Sequence, residues 1–167
     1  VMNLGRENIR PRDIVTKASI TNGIAADMAI GCSTNTILHL PAIAYEGEIA
    51  FDLAEVNAVS DKTPQICKLS PAVNGHYLVD LNEAGGISAV LKTLLDAGLI
   101  DGSMMTVSGC TQAERLARAQ VKDPNVIRSL NNPYSTKGGL SILFGDLAPE
   151  GAVIKVGALA ERDVVFE

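Results

Sequence analysis

Apolar residues recur at helical intervals over most of the first 120 positions of the chain. The clearest series has aliphatic side chains at i, i+3, i+4, i+7 and i+8, namely Ile87, Val90, Leu91, Leu94 and Leu95. This is the periodicity of one helix face, and Gly98 follows where a glycine commonly ends a helix. The pattern predicts an amphipathic helix that begins near Ile87 and ends before Gly98.

An earlier helix is predicted between Pro11 and Gly31. Proline is tolerated in a first helical turn, and Asp13 can accept a hydrogen bond from an unpaired N–H there. The apolar residues that follow have helical spacing, and Gly31 interrupts them. We therefore expect one helix that starts at Pro11 and ends at Gly31.

A second apolar run begins at Ile37, after the polar residues 33–35. It is so apolar that we expect this helix to be largely buried, with a bend at Pro41, which lacks an N–H. His39 lies on the apolar face of the same helix. A histidine in that position is more often a hydrogen-bonded core residue than a catalyst.

Two capping-box patterns mark further helix starts. Residues 52–55 read Asp-Leu-Ala-Glu, and residues 111–114 read Thr-Gln-Ala-Glu. In such a box the first side chain and the fourth each accept a hydrogen bond from the other residue's backbone N–H. We expect a short helix after Asp52, a loop over residues 62–75, and a helix from Thr111 to about Ala119.

Strand-like runs replace the helical pattern near the end of the chain. Residues 140–144 and 152–156 are short and apolar, and residues 148–151 between them read Ala-Pro-Glu-Gly, which is typical of a hairpin turn. The chain is therefore predicted to have an α/β fold.

We expect this fold to consist of three parts. Residues 1–125 form a mainly helical part of a larger α/β domain, residues 126–137 form a linker, and residues 138–167 begin a β-rich domain of barrel type.

Composition narrows the class of protein. Of 167 residues, 14 are Lys or Arg and 19 are Asp or Glu, so the net charge is −5, and 47% are hydrophobic. The chain is too apolar to be disordered, and it lacks the basic stripe and aromatic platforms of a nucleic-acid binder. It contains no run of about 18 apolar residues that could span a membrane. We expect a cytoplasmic protein with neither nucleic-acid nor membrane partners.

The cysteines and the chain ends give two further expectations. Cys32, Cys67 and Cys110 are far apart, form no Cys-x-x-Cys motif and have no histidine at ligand spacing, so structural thiols are favoured over a metal site or disulfides.

The chain begins at Val1 without a signal-peptide pattern and stops within an apolar run. We expect an internal fragment of a longer protein.

The most suggestive local chemistry is the polar turn Ser33, Thr34 and Asn35. Hydroxyl groups and free N–H groups at a helix N-terminus can stabilise a carboxylate or a phosphate. The alternative is that Ser33 or Thr34 only caps the helix. His76 also lies in a predicted loop, further along the chain. Its side chain fits a structural hydrogen-bonding role and a substrate contact equally well.

Four blocks resemble the dihydroxy-acid and phosphogluconate dehydratase family. They are residues 27–40, which contain Ser-Thr-Asn and Leu-His-Leu; residues 69–87, with Leu-Ser-Pro, His-Tyr and Asp-Leu-Asn-Glu-Ala-Gly-Gly; residues 126–135; and residues 138–151. They follow the family's order, and the form of residues 38–43 resembles the dihydroxy-acid branch. Two departures are Cys32, where the family has a second glycine, and Cys110, where it commonly has lysine.

The resemblance implies a segment of a lyase that converts 2,3-dihydroxy acids to 2-keto acids in isoleucine and valine biosynthesis. It also implies an iron–sulfur cluster that acts as Lewis acid, Mg²⁺ that holds the carboxylate, a small dihydroxy-acid substrate and a homodimeric parent. The family's catalytic and metal-binding motifs are absent from this chain, so we expect the fragment alone to be inactive and to bind neither cofactor. The alternatives are a sugar-acid dehydratase of the same family, a standalone carboxylate-binding module and a structural connector.

Overall fold

The computed structural model describes residues 1–31, 33–72 and 74–159. Its helices are α1 (Met2–Arg6), α2 (Pro11–Ile14), α3 (Lys17–Ile30), α4 (Asn35–Glu46), α5 (Leu53–Ser60), α6 (Leu78–Glu83), α7 (Gly86–Asp96) and α8 (Gln112–Leu116). Two strands follow, β1 (Ser141–Gly145) and β2 (Ala148–Ile154), and then a 3₁₀ turn over Val156–Ala158. The predicted α/β composition, helices first and strands last, is confirmed, and the described residues contain one antiparallel strand pair rather than a barrel. None of the described helices is long and apolar enough to cross a bilayer.

Helix α3 forms the centre of the molecule. It begins at a reciprocal cap, in which Thr16 Oγ1 accepts from the Ser19 N–H and Ser19 Oγ accepts from the Thr16 N–H, at 3.2 and 2.8 Å. It ends at Gly31, as the sequence predicted, and the φ of 71° at this glycine is left-handed. The predicted helix start at Pro11 is confirmed by α2, but extended backbone at Val15 separates α2 from α3, so the prediction of one continuous helix is wrong.

Two apolar clusters pack against opposite parts of α3. The first joins α3 to α6, α7 and α8, and it includes the buried residues Ile66, Cys67, Val126 and Ile127. The second joins α3 to α4, α5 and β1 through Met28, Ala44, Val56, Leu140 and Ile142. Because α3 contributes to both clusters, it connects the helical part of the chain to the strand pair.

Helix α4 is much more exposed than its composition predicted. Ala44 is its only fully buried residue, whereas Leu38 and Tyr45 keep 68% and 81% of their surface exposed. His39 is also exposed, so the expectations of a largely buried helix and of a core histidine are wrong. The helix presents one face to the second cluster and has no covering element on the other among the described residues.

The strand pair has a different turn from the predicted one. Ser141 pairs with Ile154 and Leu143 with Ala152, and the chain reverses at residues 146–147. The predicted turn at residues 148–151 is therefore wrong, since those residues belong to β2. Proline can occupy such a strand because β2 is an edge strand and need not donate from every position.

The remaining helices agree with the sequence pattern to different degrees. Helix α7 and the left-handed Gly98, with φ of 69°, confirm the prediction. Asp52 Oδ1 caps α5 at 2.9 Å from the Ala54 nitrogen, and the reciprocal Thr111–Glu114 box opens α8. Helix α8 nevertheless stops at Leu116, before the predicted Ala119, and α6 lies where the sequence suggested no helix.

Close backbone contacts join the helical part to the strand pair. The Gly138 N–H donates to Ser60 O at 2.9 Å, and the Gly139 N–H donates to Met28 O at 3.1 Å. Within the predicted linker, the Arg128 N–H donates to Ile66 O at 2.9 Å. Residues 126–137 therefore pack against the helical part, and the division into domains at this segment stays a prediction.

We predict that Gly139→Ala destabilises the fold by about 1–3 kcal/mol, the usual range for overpacking. A Cβ at this position would lie 2.7 Å from Gly31 Cα, and backbone on both sides cannot easily move. Gly23→Ala is the matched control, because Gly23 lies inside α3 with nothing within 4 Å of an added Cβ. We expect this control to raise stability by about 0.5–1 kcal/mol. Urea unfolding measures both, and equal effects would contradict the close-contact argument.

Candidate functional site

The candidate turn lies between α3 and α4, at the edge of the second apolar cluster. Gly31 reverses the chain after α3, and Thr34 is the N-cap residue of α4 with φ of −56° and ψ of −19°. Cys32 lies outside the described residues. Ser33 and Asn35 are exposed and Thr34 is half-buried, so the turn is open to a ligand from solvent.

Hydrogen bonds give the three predicted residues different roles. Ser33 Oγ accepts from the Asn35 N–H at 3.2 Å, and Ser33 O accepts from the Thr36 N–H at 3.0 Å. Thr34 makes no side-chain cap bond, and its hydroxyl and the Asn35 carboxamide bind no other side chain or backbone group among the described residues. Ser33, one position before the N-cap residue, therefore supplies the side-chain cap, whereas Thr34 and Asn35 keep donors that a ligand could use.

A buried carboxyl group lies behind the turn. Asp27, which is 6% exposed, accepts a hydrogen bond from Thr36 Oγ1 at 3.1 Å through Oδ1. A negative charge here is stabilised by the N-terminal end of α4. Any second anion would therefore have to bind on the outer side of the turn, at Thr34 and Asn35.

Sequence reasoning missed Gln65, which lies beside the start of this turn. Its side chain is 3% exposed, and Nε2 donates to Cys67 O at 3.0 Å. A Cβ on Gly31 would lie only 2.3 Å from Nε2, so Gln65 packs directly against the Gly31 backbone. In the sequence, Gln65 is only a polar residue next to the apolar pair Ile66 and Cys67. Sequence alone does not distinguish such a residue from one in an ordinary loop.

The cysteines and histidines do not converge. Among the described residues no three His, Cys, Asp or Glu side chains are close enough together to hold a metal ion. Cys67 is buried and Cys110 half-buried, and both are free thiols. His76 contributes backbone bonds, from its N–H to Lys68 O at 3.2 Å and from the Ser70 N–H to its carbonyl at 2.8 Å. A substrate contact by its side chain stays a prediction.

Comparison with known proteins identifies similar sequences over the whole chain. The family model for the dihydroxy-acid/6-phosphogluconate dehydratase N-terminal region matches residues 1–115, and the model for the C-terminal region matches residues 125–167. A dihydroxy-acid dehydratase of Desulfitobacterium hafniense is 66% identical over 167 residues, which are 100% of this chain and 30% of the relative. Those of Carboxydothermus hydrogenoformans and Agathobacter rectalis are 57% and 48% identical, over 95% and 100% of this chain and 29% and 30% of theirs. The chain thus spans about 30% of the length of these relatives.

We predict that Cys67 resists thiol reagents in the folded protein. Burial raises the pKa of its thiol to about 12, so at pH 8 almost none is the reactive thiolate. In the unfolded chain the pKa returns to its ordinary value near 8.5. Because only the unfolded form then ionises, this group lowers stability as pH rises from about 9 towards 12.

Iodoacetamide labelling at pH 8, mapped by peptide mass spectrometry, tests this prediction. Cys110, which is half-buried, is the internal comparison. We expect Cys67 to be labelled in urea and at most slightly in buffer. Labelling of Cys67 in buffer as fast as that of Cys110 would contradict its burial.

Proposed function

Because this chain belongs to the dihydroxy-acid/6-phosphogluconate dehydratase family, we propose that it is a segment of an enzyme that removes water from a 2,3-dihydroxy carboxylic acid. The observation that carries the proposal is 66% identity, over every residue of this chain, to a protein named dihydroxy-acid dehydratase. That relative is about three times longer, which favours a segment over a standalone carboxylate-binding module.

The proposed reaction breaks two bonds that are both difficult to break. C2 must lose a proton although its C–H group is a weak acid. C3 must lose hydroxide, which is a poor leaving group. The electrons of the C2–H bond form a C2=C3 double bond as the hydroxide leaves. The product is an enol, which tautomerises to the 2-keto acid, and one water is released in total.

An iron–sulfur cluster and Mg²⁺ belong to the proposal for the parent enzyme, not for this chain. A cluster needs several converging thiolates, whereas Cys67 and Cys110 do not lie in any shared ligand group among the described residues. The pKa of Cys67, raised to about 12, also disfavours the thiolate that a metal requires. These residues do not fit either group, and we propose that other segments of the parent supply the ligands.

We assign the turn at the start of α4 a part in binding the substrate. The Thr34 hydroxyl and the Asn35 carboxamide would donate hydrogen bonds to the substrate carboxylate, and the N-terminal end of α4 would add a favourable dipole. The free donors of Thr34 and Asn35 support this role, and the neighbouring Asp27 carboxyl opposes it. Ser33 serves as the cap that holds the turn in place.

The parent enzyme also needs a cellular location, an oligomeric state and a pathway. We propose a cytoplasmic homodimer that acts in isoleucine and valine biosynthesis on a small branched dihydroxy acid. The name shared by the relatives supports this substrate over 6-phosphogluconate.

An assay of the full-length protein that contains this segment tests the reaction. We expect 2,3-dihydroxy-3-methylbutanoate to yield a 2-keto acid, measured as its hydrazone, and 6-phosphogluconate to yield at least a hundredfold less. Turnover of 6-phosphogluconate alone would move the protein to the other branch of the family. Equal turnover by the isolated 167-residue chain would show that the chemistry lies within it.

We predict that Thr34→Val and Asn35→Ala each lower kcat/KM by roughly tenfold to a hundredfold, with little change in melting temperature. The size of this decrease in kcat/KM follows from the loss of one hydrogen bond to a charged group, which is worth about 1.5–3 kcal/mol. Ser33→Ala is the matched control, which should lose about 0.5–2 kcal/mol of stability and keep its turnover per folded molecule. If Thr34→Val and Asn35→Ala melt early but turn over normally, the turn is purely structural.

A further inference from the structure

Arg128 lies flat against an aromatic ring in a part of the molecule that the proposed reaction does not use. Its Cζ is 3.7 Å from the centroid of the Tyr134 ring, and Lys68 Nζ is 5.3 Å from the same centroid. The Tyr134 hydroxyl donates to Asn125 O at 3.3 Å, and the Tyr134 N–H donates to Gln65 O at 2.8 Å. The ring is therefore held at both ends, and it fixes the plane of the guanidinium.

The two cations at this ring have no acidic partner within the described part of the chain. The ion pairs there involve other cations, namely Arg10, Arg12, Lys17, Lys92 and Lys137. The side chains of Lys68 and Arg128 also donate no hydrogen bond to a described residue, although both are half-buried. The Arg128 guanidinium therefore keeps donors that a bound oxyanion could use.

An apolar groove begins beside Arg128. It encloses about 580 Å³, and its walls include Val121, Pro124, Ile127 and Leu130. Asp96 also reaches the groove, but its carboxylate is paired with Lys92 Nζ at 2.5 Å. The groove thus offers an apolar wall with a cation at its edge, whose donors remain available.

We propose that this groove binds a small monocarboxylate with a short aliphatic body. The carboxylate would pair with Arg128, whose planar fork matches two carboxylate oxygens. The aliphatic body would lie against Val121, Pro124 and Leu130. Because the ring already orients the guanidinium, little side-chain freedom is lost on binding. The site is separate from the turn at Thr34 and Asn35 and does not depend on the proposed reaction.

Calorimetric titration of the full-length protein with 3-methylbutanoate tests the proposal. We expect saturable binding, weakened at least tenfold in Arg128→Met. Arg118→Met removes an exposed arginine elsewhere and is the matched control, for which no change is expected. Thr34→Val should also leave this binding unchanged, which separates the groove from the turn. Unchanged binding in Arg128→Met, or loss in Arg118→Met as well, would overturn the assignment.

Two further measurements separate the parts of the site. Val121→Asn replaces an exposed wall residue and should weaken 3-methylbutanoate at least threefold without changing acetate. Arg128→Lys keeps the charge but loses the planar fork, and it should bind between wild type and Arg128→Met while retaining the melting temperature.

Titration with inorganic phosphate tests whether the groove binds any oxyanion or prefers a carboxylate with an aliphatic body. We expect it to bind at least tenfold more weakly than 3-methylbutanoate, since it gains nothing from the apolar wall. Equal affinity would mean a general anion site and would overturn the proposed ligand class. No saturable binding of either anion in wild type would mean that an acidic side chain of the parent protein occupies Arg128, which also overturns it.

Discussion

The fold depends on a place where two stretches of backbone meet without a side chain between them. An added Cβ on Gly139 would lie 2.7 Å from Gly31 Cα, and the Gly139 N–H donates to Met28 O. The end of α3 and the start of the strand pair are therefore held at a distance set by backbone hydrogen bonding. Since α4 begins just after Gly31, the same contact also determines where the candidate turn lies relative to the strands. A larger side chain at Gly139 would shift both together.

Gln65 extends this contact to the rest of the molecule. Its carboxamide packs against Gly31 and Gly157, while its backbone accepts from the Tyr134 N–H and donates to Ser135 O. The buried Oε1 has no hydrogen-bond partner among the described residues, and an unpaired buried acceptor costs about 1–3 kcal/mol. Its Nε2 offsets part of that penalty by donating to Cys67 O, a hydrogen bond that an aliphatic side chain of similar length could not make. Through this one residue the turn at α4 and the ring beneath Arg128 are attached to the same short segment.

The sequence predicted what depends on neighbouring residues and missed what depends on distant ones. The period of α7, the left-handed glycines 31 and 98, and the caps at Asp52 and Thr111 are local properties, and each is present in the structure. Burial is not local: α4 is apolar in composition, yet its outer face meets no other described element. The hairpin turn was misplaced because Pro and Gly favour turns but also occur in an edge strand. The roles within the candidate turn were likewise undecided in sequence, since only coordinates show that Ser33 caps the helix while Thr34 does not.

The exposed face of α4 bears directly on the candidate turn. Leu38, Ala42 and Tyr45 are spaced so that they share one side of the helix, and all three are exposed. Soluble proteins seldom leave such an apolar stripe uncovered. Relatives about three times as long contain further chain that could cover it, in keeping with the proposal that this chain is a segment. The turn at Thr34 and Asn35 lies at the N-terminal end of the same helix, so a covering element would also exclude water from it. Hydrogen bonds from these side chains to a carboxylate would then be stronger than at an open surface, because competing water is removed and the local dielectric falls.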